Sequence, residues 1–341
     1  MKTLKKLLAV YLVIFMLITS APLQGFVGLE LPEWFSFEAD AIDSGDFSYT
    51  VLSDGTAQIT AYRGGESEVV VPETIDGIKV TEIGNNLFYN NKTLTSITLP
   101  SGIRRLGEGS FYNTSNLKEI YFEGDVASWC SMAIYPDSAS PFVYGGGKLY
   151  IDGQFVENLV VPEGVTYIGS RVFIAYDHLK SVDFPSTLKS IEAFAFLHCD
   201  GLETLVIPDG VTTLGYGAFE LCGALKTVIL GSGITTIDSD VFYLSPSISN
   251  VYYSGVESQW NKISFGRYNT TLTNAKRHYN YDIDSHTLDI PNDAISYDGN
   301  YYKAFEESLD WFEAKARCEE MGGHLVAITS SEEQETINNI L

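Results

Sequence analysis

Six phenylalanine residues recur along this 341-residue chain at a nearly fixed spacing, and the spacing limits the folds that are open to it. Four of the five intervals are 23 residues and one is 62, and the six residues are Phe88, Phe111, Phe173, Phe196, Phe219 and Phe242. An aliphatic residue precedes each phenylalanine by five positions, and another follows it by six. A unit this short cannot bury its own apolar side, so the period indicates coils that stack into a solenoid.

Each coil is predicted to contain one short strand and a return. Across residues 181–184 polar and apolar residues alternate, which places Val182 inward and Asp183 outward. Pro185 then ends the strand, because proline donates no backbone hydrogen bond. Stacking joins the strands into a parallel sheet on one face, and irregular returns are predicted on the other.

One unit in particular shows a known pattern. Residues 202–222 read LETLVIPDGVTTLGYGAFELC. This resembles the 23-residue leucine-rich repeat of bacterial surface proteins that is called BspA-like or Treponema-type. The resemblance covers about residues 47–279, with Gly231 in place of a proline and Ile248 in place of a leucine. It implies a leucine-rich repeat solenoid, and it is weak as a guide to the ligand.

Two hairpins are predicted from turn residues that tolerate a positive φ. Asp54-Gly55 lies between two alternating segments and predicts an N-terminal hairpin cap. Asp152-Gly153 lies within an insertion near residues 123–157, and this insertion accounts for the long interval of 62 residues between Phe111 and Phe173. The insertion is expected to bridge two segments of the solenoid.

A larger block is duplicated in the chain. The runs that begin at Ile120 and at Val251 are related, and Trp129 and Trp260 share their offset of 131 residues. The second copy, residues 251–279, is predicted to close the solenoid by covering its open sheet edge, since an uncovered edge favours aggregation.

The N-terminus is predicted to direct export. Three lysines precede an apolar run at residues 7–19, which is the layout of a secretory signal. The alternative is a membrane anchor, but the run is short of the roughly 20 residues that a spanning helix needs. The predicted order is then a signal peptide at 1–41, the cap and start of the solenoid at 42–82, leucine-rich repeats at 83–279, a linker at 280–294 and a further segment at 295–341.

The composition is strongly acidic, with a net charge of −23. Such a surface repels nucleic acid and anionic lipid, so nucleic acid is not an expected partner, and the protein is not expected to insert into a membrane after its signal is removed. The acidity also has a simpler interpretation, which is solubility. Four cysteines do not form a disulfide framework in a chain of this length. Cys199 and Cys222 occupy the same register, and buried free thiols are favoured there over a bridge.

The C-terminal segment follows a different pattern. Residues 311–332 read WFEAKARCEEMGGHLVAITSSE, which closely resembles the opening of a C-type lectin-like domain. The resemblance implies an incomplete α+β C-type lectin-like fold at residues 295–341. The part of the family that contains the calcium and sugar ligands is not matched, so no calcium ligand is assigned and Cys318 has no assigned partner.

The sequence offers no nucleophile with a base, no metal-ligand spacing and no phosphate loop, so an enzyme, a cofactor and a metal are not expected. His178 and His198 are interpreted as solvated or packed. The favoured function is a secreted or surface-attached adhesion protein, with a solenoid that binds protein and a lectin-like domain that binds carbohydrate or protein. Its expected partner is a host or neighbouring-cell surface protein or glycan.

The predicted binding residues lie at outward strand positions, where exposed apolar side chains suggest contact: Tyr121, Asp183, Val206, Ile229 and Tyr252. An incidental mixture of residues on this face is the alternative. Two other functions remain open, namely the targeting region of a longer exported hydrolase and a structural spacer of the cell envelope.

Overall fold

The computed structural model describes residues 41–283 and the backbone of three short segments at 287–288, 295–297 and 300–302. The first twelve strands are β1 (Ile42–Ser44), β2 (Phe47–Val51), β3 (Ala57–Tyr62), β4 (Glu68–Val70), β5 (Thr74–Ile75), β6 (Ile78–Ile83), β7 (Ser96–Leu99), β8 (Arg105–Leu106), β9 (Glu119–Phe122), β10 (Ala133–Ile134), β11 (Lys148–Ile151) and β12 (Gln154–Phe155).

The later strands are β13 (Asn158–Val160), β14 (Tyr167–Ile168), β15 (Ser181–Asp183), β16 (Ser190–Ile191), β17 (Thr204–Ile207), β18 (Thr213–Leu214), β19 (Thr227–Leu230), β20 (Thr236–Ile237), β21 (Asn250–Tyr253), β22 (Ser264–Phe265), β23 (Lys276–His278), β24 (Tyr281–Asp282), β25 (Thr287–Leu288), β26 (Ile295–Tyr297) and β27 (Asn300–Tyr302). The described helices are short: α1 (Val126–Cys130), a 3-10 turn (Asp137–Ala139), α2 (Phe142–Gly145), α3 (Glu257–Trp260) and α4 (Thr270–Asn274).

The predicted strands form the main ladder, which consists of the sheets β4-β7-β9-β11-β12, β13-β15 and β17-β19-β21-β23. Strands from successive coils pair in parallel, and partners such as Thr204 and Thr227 are one repeat apart in sequence. The alternation places Val182 inward and leaves Asp183 exposed. The solenoid of stacked parallel strands is therefore confirmed.

The prediction of irregular returns is wrong, because the returns contribute short strands to a second ladder, in which strands of successive coils pair in parallel. This second ladder consists of β1-β2-β3-β6-β8-β10, with β5 beside β6, and of β14-β16-β18-β20-β22. Most of its strands are two residues long, such as Thr213–Leu214, which is too short for an alternating pattern to be visible in the sequence. The aliphatic residue five positions before each phenylalanine points inward from it, and Ile191 and Leu214 are fully buried.

The phenylalanines stack along the core. The ring of Phe196 lies 5.2 Å from that of Phe173 and 5.3 Å from that of Phe219, in nearly parallel planes, and all three are fully buried. Hydrogen bonds join the backbones of successive coils beside these rings. The Cys222 thiol donates to the Phe196 carbonyl at 3.3 Å, and the Cys199 thiol donates to the Phe173 carbonyl at 3.2 Å. Both cysteines are free, as predicted.

The N-terminal hairpin is confirmed, although it joins the second ladder. Strands β2 and β3 are antiparallel, and β3 continues in parallel to β6. The main ladder begins separately at β4, where Val70 is 64% exposed. The N-terminal hairpin therefore extends the second ladder and not the main ladder.

The second hairpin is also confirmed. Strand β11 pairs in parallel with β9 and in antiparallel fashion with β12, and this ends the first sheet of the main ladder. The hydroxyl of Tyr176, which belongs to the next coil, donates to the Val156 carbonyl at 2.6 Å and accepts from the Leu149 amide at 3.2 Å. This fully buried hydroxyl supplies hydrogen bonds across the interruption of the ladder.

Two further hydrogen bonds cross the same interruption. The indole nitrogen of Trp129 donates to the Val172 carbonyl at 3.0 Å, and the Gly169 amide donates to the Cys130 carbonyl at 2.7 Å. The coils on the two sides are therefore connected by side-chain and backbone bonds where β10 and β14 do not pair.

The duplicated block is visible in the structure. Helices α1 and α3 end near Trp129 and Trp260, which are both buried and lie against the rings of Phe122 and Tyr253. Strands of the second copy pair with the last strands of the repeats and so extend both ladders, and its role as a closing element stays a prediction.

Strand β23, the last strand of the main ladder, disfavours the addition of a further strand. Arg277 pairs with Val251 in register and so lies on the core side of the strand, but it is exposed at the end of the ladder, with its guanidinium 5.7 Å from the Trp260 ring. An inward charge on an edge strand disfavours addition of another strand.

The predicted signal peptide and most of the lectin-like segment 295–341 lie outside the described residues. In the latter, β26 and β27 form an antiparallel pair. The domain boundaries proposed above stay predictions.

We expect Phe196→Ala to lower the free energy of unfolding by about 3–5 kcal/mol, because it removes a ring from the middle of the stack. Phe194→Ala is the matched control, since that ring is only half-buried in a turn. Thermal and chemical denaturation measure both. Equal losses in the two variants would contradict the role of the stack.

We expect Tyr176→Phe to cost about 1–3 kcal/mol for each backbone group that it leaves buried without a partner. Tyr89→Phe removes the same hydroxyl from a ring that is 50% exposed and should be neutral. Urea denaturation of both variants tests this. A Tyr176→Phe protein as stable as its parent would show that water replaces the hydroxyl.

Candidate functional site

The outward face of the main ladder presents two rows of side chains. The aromatic row contains Val70, Thr98, Tyr121 and Tyr150 in the first sheet, Val160 and Asp183 in the second, and Val206, Ile229, Tyr252 and His278 in the third. The polar row contains Glu68, Ser96, Glu119, Lys148, Asn158, Ser181, Thr204, Thr227, Asn250 and Lys276. All five predicted binding residues belong to the aromatic row.

The first aromatic cluster is built around Tyr121. Its ring stacks on that of Tyr150 at 4.8 Å, and Phe155 lies 5.7 Å beyond. The Tyr121 hydroxyl donates to Oε2 of Glu119 at 2.9 Å, and this hydrogen bond raises the pKa of Tyr121. Lys148 places its Nζ 5.3 Å from the Phe155 ring. The cluster therefore combines rings with one charge of each sign.

The second aromatic cluster is built around Tyr252. Its ring lies 4.6 Å from that of His278 and 4.8 Å from that of Tyr281. Burial lowers the pKa of His278, and the charge of Lys276 lowers it further, so the imidazole is neutral at physiological pH. This cluster repeats the first one near the other end of the main ladder.

The structure changes the role of Ile229. The residue was predicted to be an exposed apolar contact, but it is only 4% exposed. It lies in register between Val206 and Tyr252, and strands less than 5 Å apart allow side chains of one row to cover each other. Ile229 therefore supports its neighbours and is not itself available for contact.

The five predicted residues fall into separate groups. Val206, Ile229 and Tyr252 lie side by side on one sheet, whereas Tyr121 lies on the sheet before the interruption. Asp183 is exposed on the two-stranded sheet between them, beside Val160. For the four residues other than Ile229, the assignment as binding residues stays a prediction.

Sequence reasoning did not identify the stacking partners Tyr150, His278 and Tyr281. They lie where the 23-residue period is broken, so no register assigned them to a face. The duplicated block was the available signal, because Tyr150 and Tyr281 share the offset of 131 residues that relates Tyr121 to Tyr252.

A second arrangement that the sequence did not indicate brings together Asp177, His198 and Asp200. Their ligand atoms lie within 4.8 Å of one another, with Nδ1 of His198 3.5 Å from Asp177 and Nε2 3.7 Å from Asp200. These side chains could hold a divalent cation. All three are about half-exposed, which favours a weak site at most.

The described cysteines are not reactive nucleophiles. Burial raises the pKa of the Cys130 and Cys222 thiols to about 12, and that of Cys199 also lies well above its usual range. A thiol attacks as its thiolate, so these groups are inert at neutral pH. Among the described residues, no helix has the length and apolar character that a membrane crossing requires.

Comparison with known proteins shows which family the repeats match. A model described as a BspA type leucine rich repeat region matches residues 69–139 and 149–273 in six copies, which is more than half of the chain. The fold is similar to that of a leucine rich cell surface protein from Faecalibacterium prausnitzii, with 20% identity, coverage of 66% of this chain and 97% of that one, and a TM-score of 0.35. A leucine-rich repeat protein from Bacteroides ovatus has 15% identity, coverage of 72% and 81%, and a TM-score of 0.39. These likenesses carry no conclusion about function.

A shorter match is of a different kind. Over 51 residues the chain is 41% identical to snaclec bothroinsularin subunit beta from Bothrops insularis, which is 14% of this chain and 40% of that protein. The chain thus spans about two fifths of the length of this curated relative.

We expect EDTA to leave the melting temperature unchanged, because the core is hydrocarbon and the three ligand candidates lie at the surface. The same melts on His198→Ala provide the control. A fall in melting temperature with EDTA that is absent in His198→Ala would instead show that Asp177, His198 and Asp200 hold a stabilising ion.

Proposed function

Because the chain belongs to the BspA-type leucine-rich repeat family, we propose that it is a secreted or cell-surface binding protein whose solenoid recognises another protein. The contact surface in this proposal is the outward face of the main ladder. The partner is a surface protein or glycan of a host or of a neighbouring cell. The charged start and apolar run at the N-terminus support export.

The observation on which the proposal rests is the pair of aromatic clusters around Tyr121 and Tyr252. Apart from the buried Tyr281, the rings of both clusters are half-buried, and they lie beside the serine, threonine, asparagine and charged side chains of the polar row. Tyrosine contributes a large contact area and one hydrogen-bonding group, and it is enriched where protein interfaces gain most of their affinity. Because these rings are already held by their neighbours, little side-chain entropy is lost when a partner binds.

The overall charge supports a protein or glycan partner over nucleic acid. At −23 the chain repels a phosphate backbone, which needs lysine and arginine contacts for binding. We also propose that the solenoid has no catalytic role. The buried, protonated state of the described thiols supports that part of the proposal.

For the C-terminal segment we propose recognition of carbohydrate or protein by the complete lectin-like domain. The short snaclec match supports the lectin-like resemblance of this segment, and its ligand stays open. This part of the proposal is independent of the main ladder.

The test uses fluorescently labelled full chain on cultured epithelial cells, before and after proteolysis of the cell surface. We expect replacement of Tyr121, Val206 and Tyr252 by serine to weaken binding at least about tenfold, because aromatic contacts dominate interface energies. Ile229 stays unchanged, since its replacement would disturb the sheet.

The matched control replaces Tyr89 and Tyr112 by serine, which removes two exposed rings from the turn side of the solenoid. This variant should bind as the parent does. Unchanged affinity of the triple variant, with an unaltered melt, would exclude the main ladder as the contact surface. Equal binding to intact and proteolysed cells would argue for a non-protein partner.

A further inference from the structure

In the C-terminal half of the solenoid the exposed tyrosine rings lie on the second ladder, as Tyr167 does, and on its turns, and not on the main ladder. The turns that follow the second ladder, residues 192–200, 215–223, 238–245 and 266–268, are called the turn edge here. Tyr216 is 41% exposed, Tyr243 39% and Tyr268 60%, whereas Tyr252 of the aromatic row is half-buried. A group of exposed rings on one edge indicates a contact surface.

The turn edge is also acidic. Its first three turns contain five carboxylates and no lysine or arginine: Glu192, Asp200, Glu220, Asp238 and Asp240. A surface of this composition attracts cationic groups and repels anions. The combination of tyrosine and carboxylate is the chemistry that binds a cation by ring contact and ion pairing together.

Two of these carboxylates are held in place beside the rings. Asp240 is only 9% exposed and accepts a hydrogen bond from the Tyr216 hydroxyl. Burial and the charge of Asp240 together raise the pKa of Glu220. Within residues 41–283, the ion pairs include none that neutralises Glu220 or Asp240.

Gly217 leaves room next to these groups. A Cβ at this position would lie 2.7 Å from the Phe194 ring and 2.9 Å from Oε2 of Glu220. The absence of a side chain therefore lets a ring and a carboxylate approach each other closely at the turn.

The chain itself shows how this edge binds a guanidinium. The Arg171 guanidinium carbon lies 4.8 Å from the Tyr135 ring centre and 4.5 Å from that of Phe194. Asp137 completes the arrangement, because its Oδ1 accepts a hydrogen bond from Nε of Arg171 at 2.6 Å. One coil further on, the Tyr216 ring lies 5.0 Å from Phe194, and the turns at 215–223 and 238–245 contain rings and carboxylates but no arginine, whereas the turn at 266–268 contains Arg267.

We propose that the turn edge formed by Tyr216, Glu220, Asp240 and Tyr243 binds arginine side chains of a basic segment in a partner protein. The partner guanidinium would repeat the contacts that Arg171 makes one coil earlier. This surface is separate from the aromatic row of the main ladder, so its failure would leave the proposed function of that row untouched.

The probe is a synthetic decapeptide of alternating arginine and serine, with lysine-serine and glutamate-serine versions for comparison. Binding to the full chain is measured by fluorescence anisotropy at physiological salt. We expect the arginine peptide to bind about threefold or more tightly than the lysine peptide, because a planar guanidinium stacks on a ring and an ammonium does not. Equal affinities, or no measurable binding, would overturn the proposal.

Variants separate this site from general attraction to an acidic protein. We expect Glu220→Gln and Tyr216→Ala each to weaken the arginine peptide about fivefold. Asp240→Asn tests the buried carboxylate, and asparagine suits its backbone because φ is +62° there. Thermal melts verify that each variant is folded.

The matched controls are Glu66→Gln, which removes one exposed charge elsewhere, and Tyr89→Ala, which removes an exposed ring from an early turn. Both should bind as the parent does. A loss with Glu66→Gln equal to that with Glu220→Gln would show that only net charge is sensed, and would overturn the assignment.

Discussion

The contact between equivalent phenylalanines of successive coils is the interaction on which the rest of this fold depends. A 23-residue coil has too little apolar surface to be stable alone, so its neighbours on both sides must complete the core. Phe196 shows how closely this is done, with rings at 5.2 and 5.3 Å above and below it and its carbonyl against the Cys222 thiol. Because side chain and backbone are fixed at the same position, both ladders keep one register over many coils.

The period fails in two places, and the structure compensates differently in each. Between the two segments of the solenoid, where β12 and β13 and also β10 and β14 do not pair, the Tyr176 hydroxyl and the Trp129 indole form hydrogen bonds in place of ladder pairing. At the C-terminal end of the main ladder, the exposed Arg277 lies in register with the buried Val251 and places a charge on the core side of the edge strand. The hydrogen bonds of Tyr176 and Trp129 join the two segments of the solenoid, and the charge of Arg277 disfavours the addition of a further coil. Both depend on a polar group placed where the repeat has an apolar or small residue.

Exposure on such a solenoid differs between the sheet and the turns. On the main ladder, side chains of one row lie less than 5 Å apart and cover each other, as Val206 and Tyr252 cover Ile229. On the turns the side chains project into open space, and tyrosines such as Tyr268 remain 60% exposed. The solenoid therefore offers two kinds of surface, a flat one with rings held in rows and a protruding one with rings beside carboxylates.

The sequence by itself determined the repeat, the main ladder, both hairpins, the free thiols and the duplicated block. These follow from local causes, because a fixed period sets the register and Asp152-Gly153 suits a tight turn wherever it occurs. Only the tertiary structure decided the second ladder, the burial of Ile229, the bridging hydroxyl of Tyr176 and the approach of His198 to its two aspartates. Each of these depends on which residues of neighbouring coils face one another, and that is set by how the coils stack.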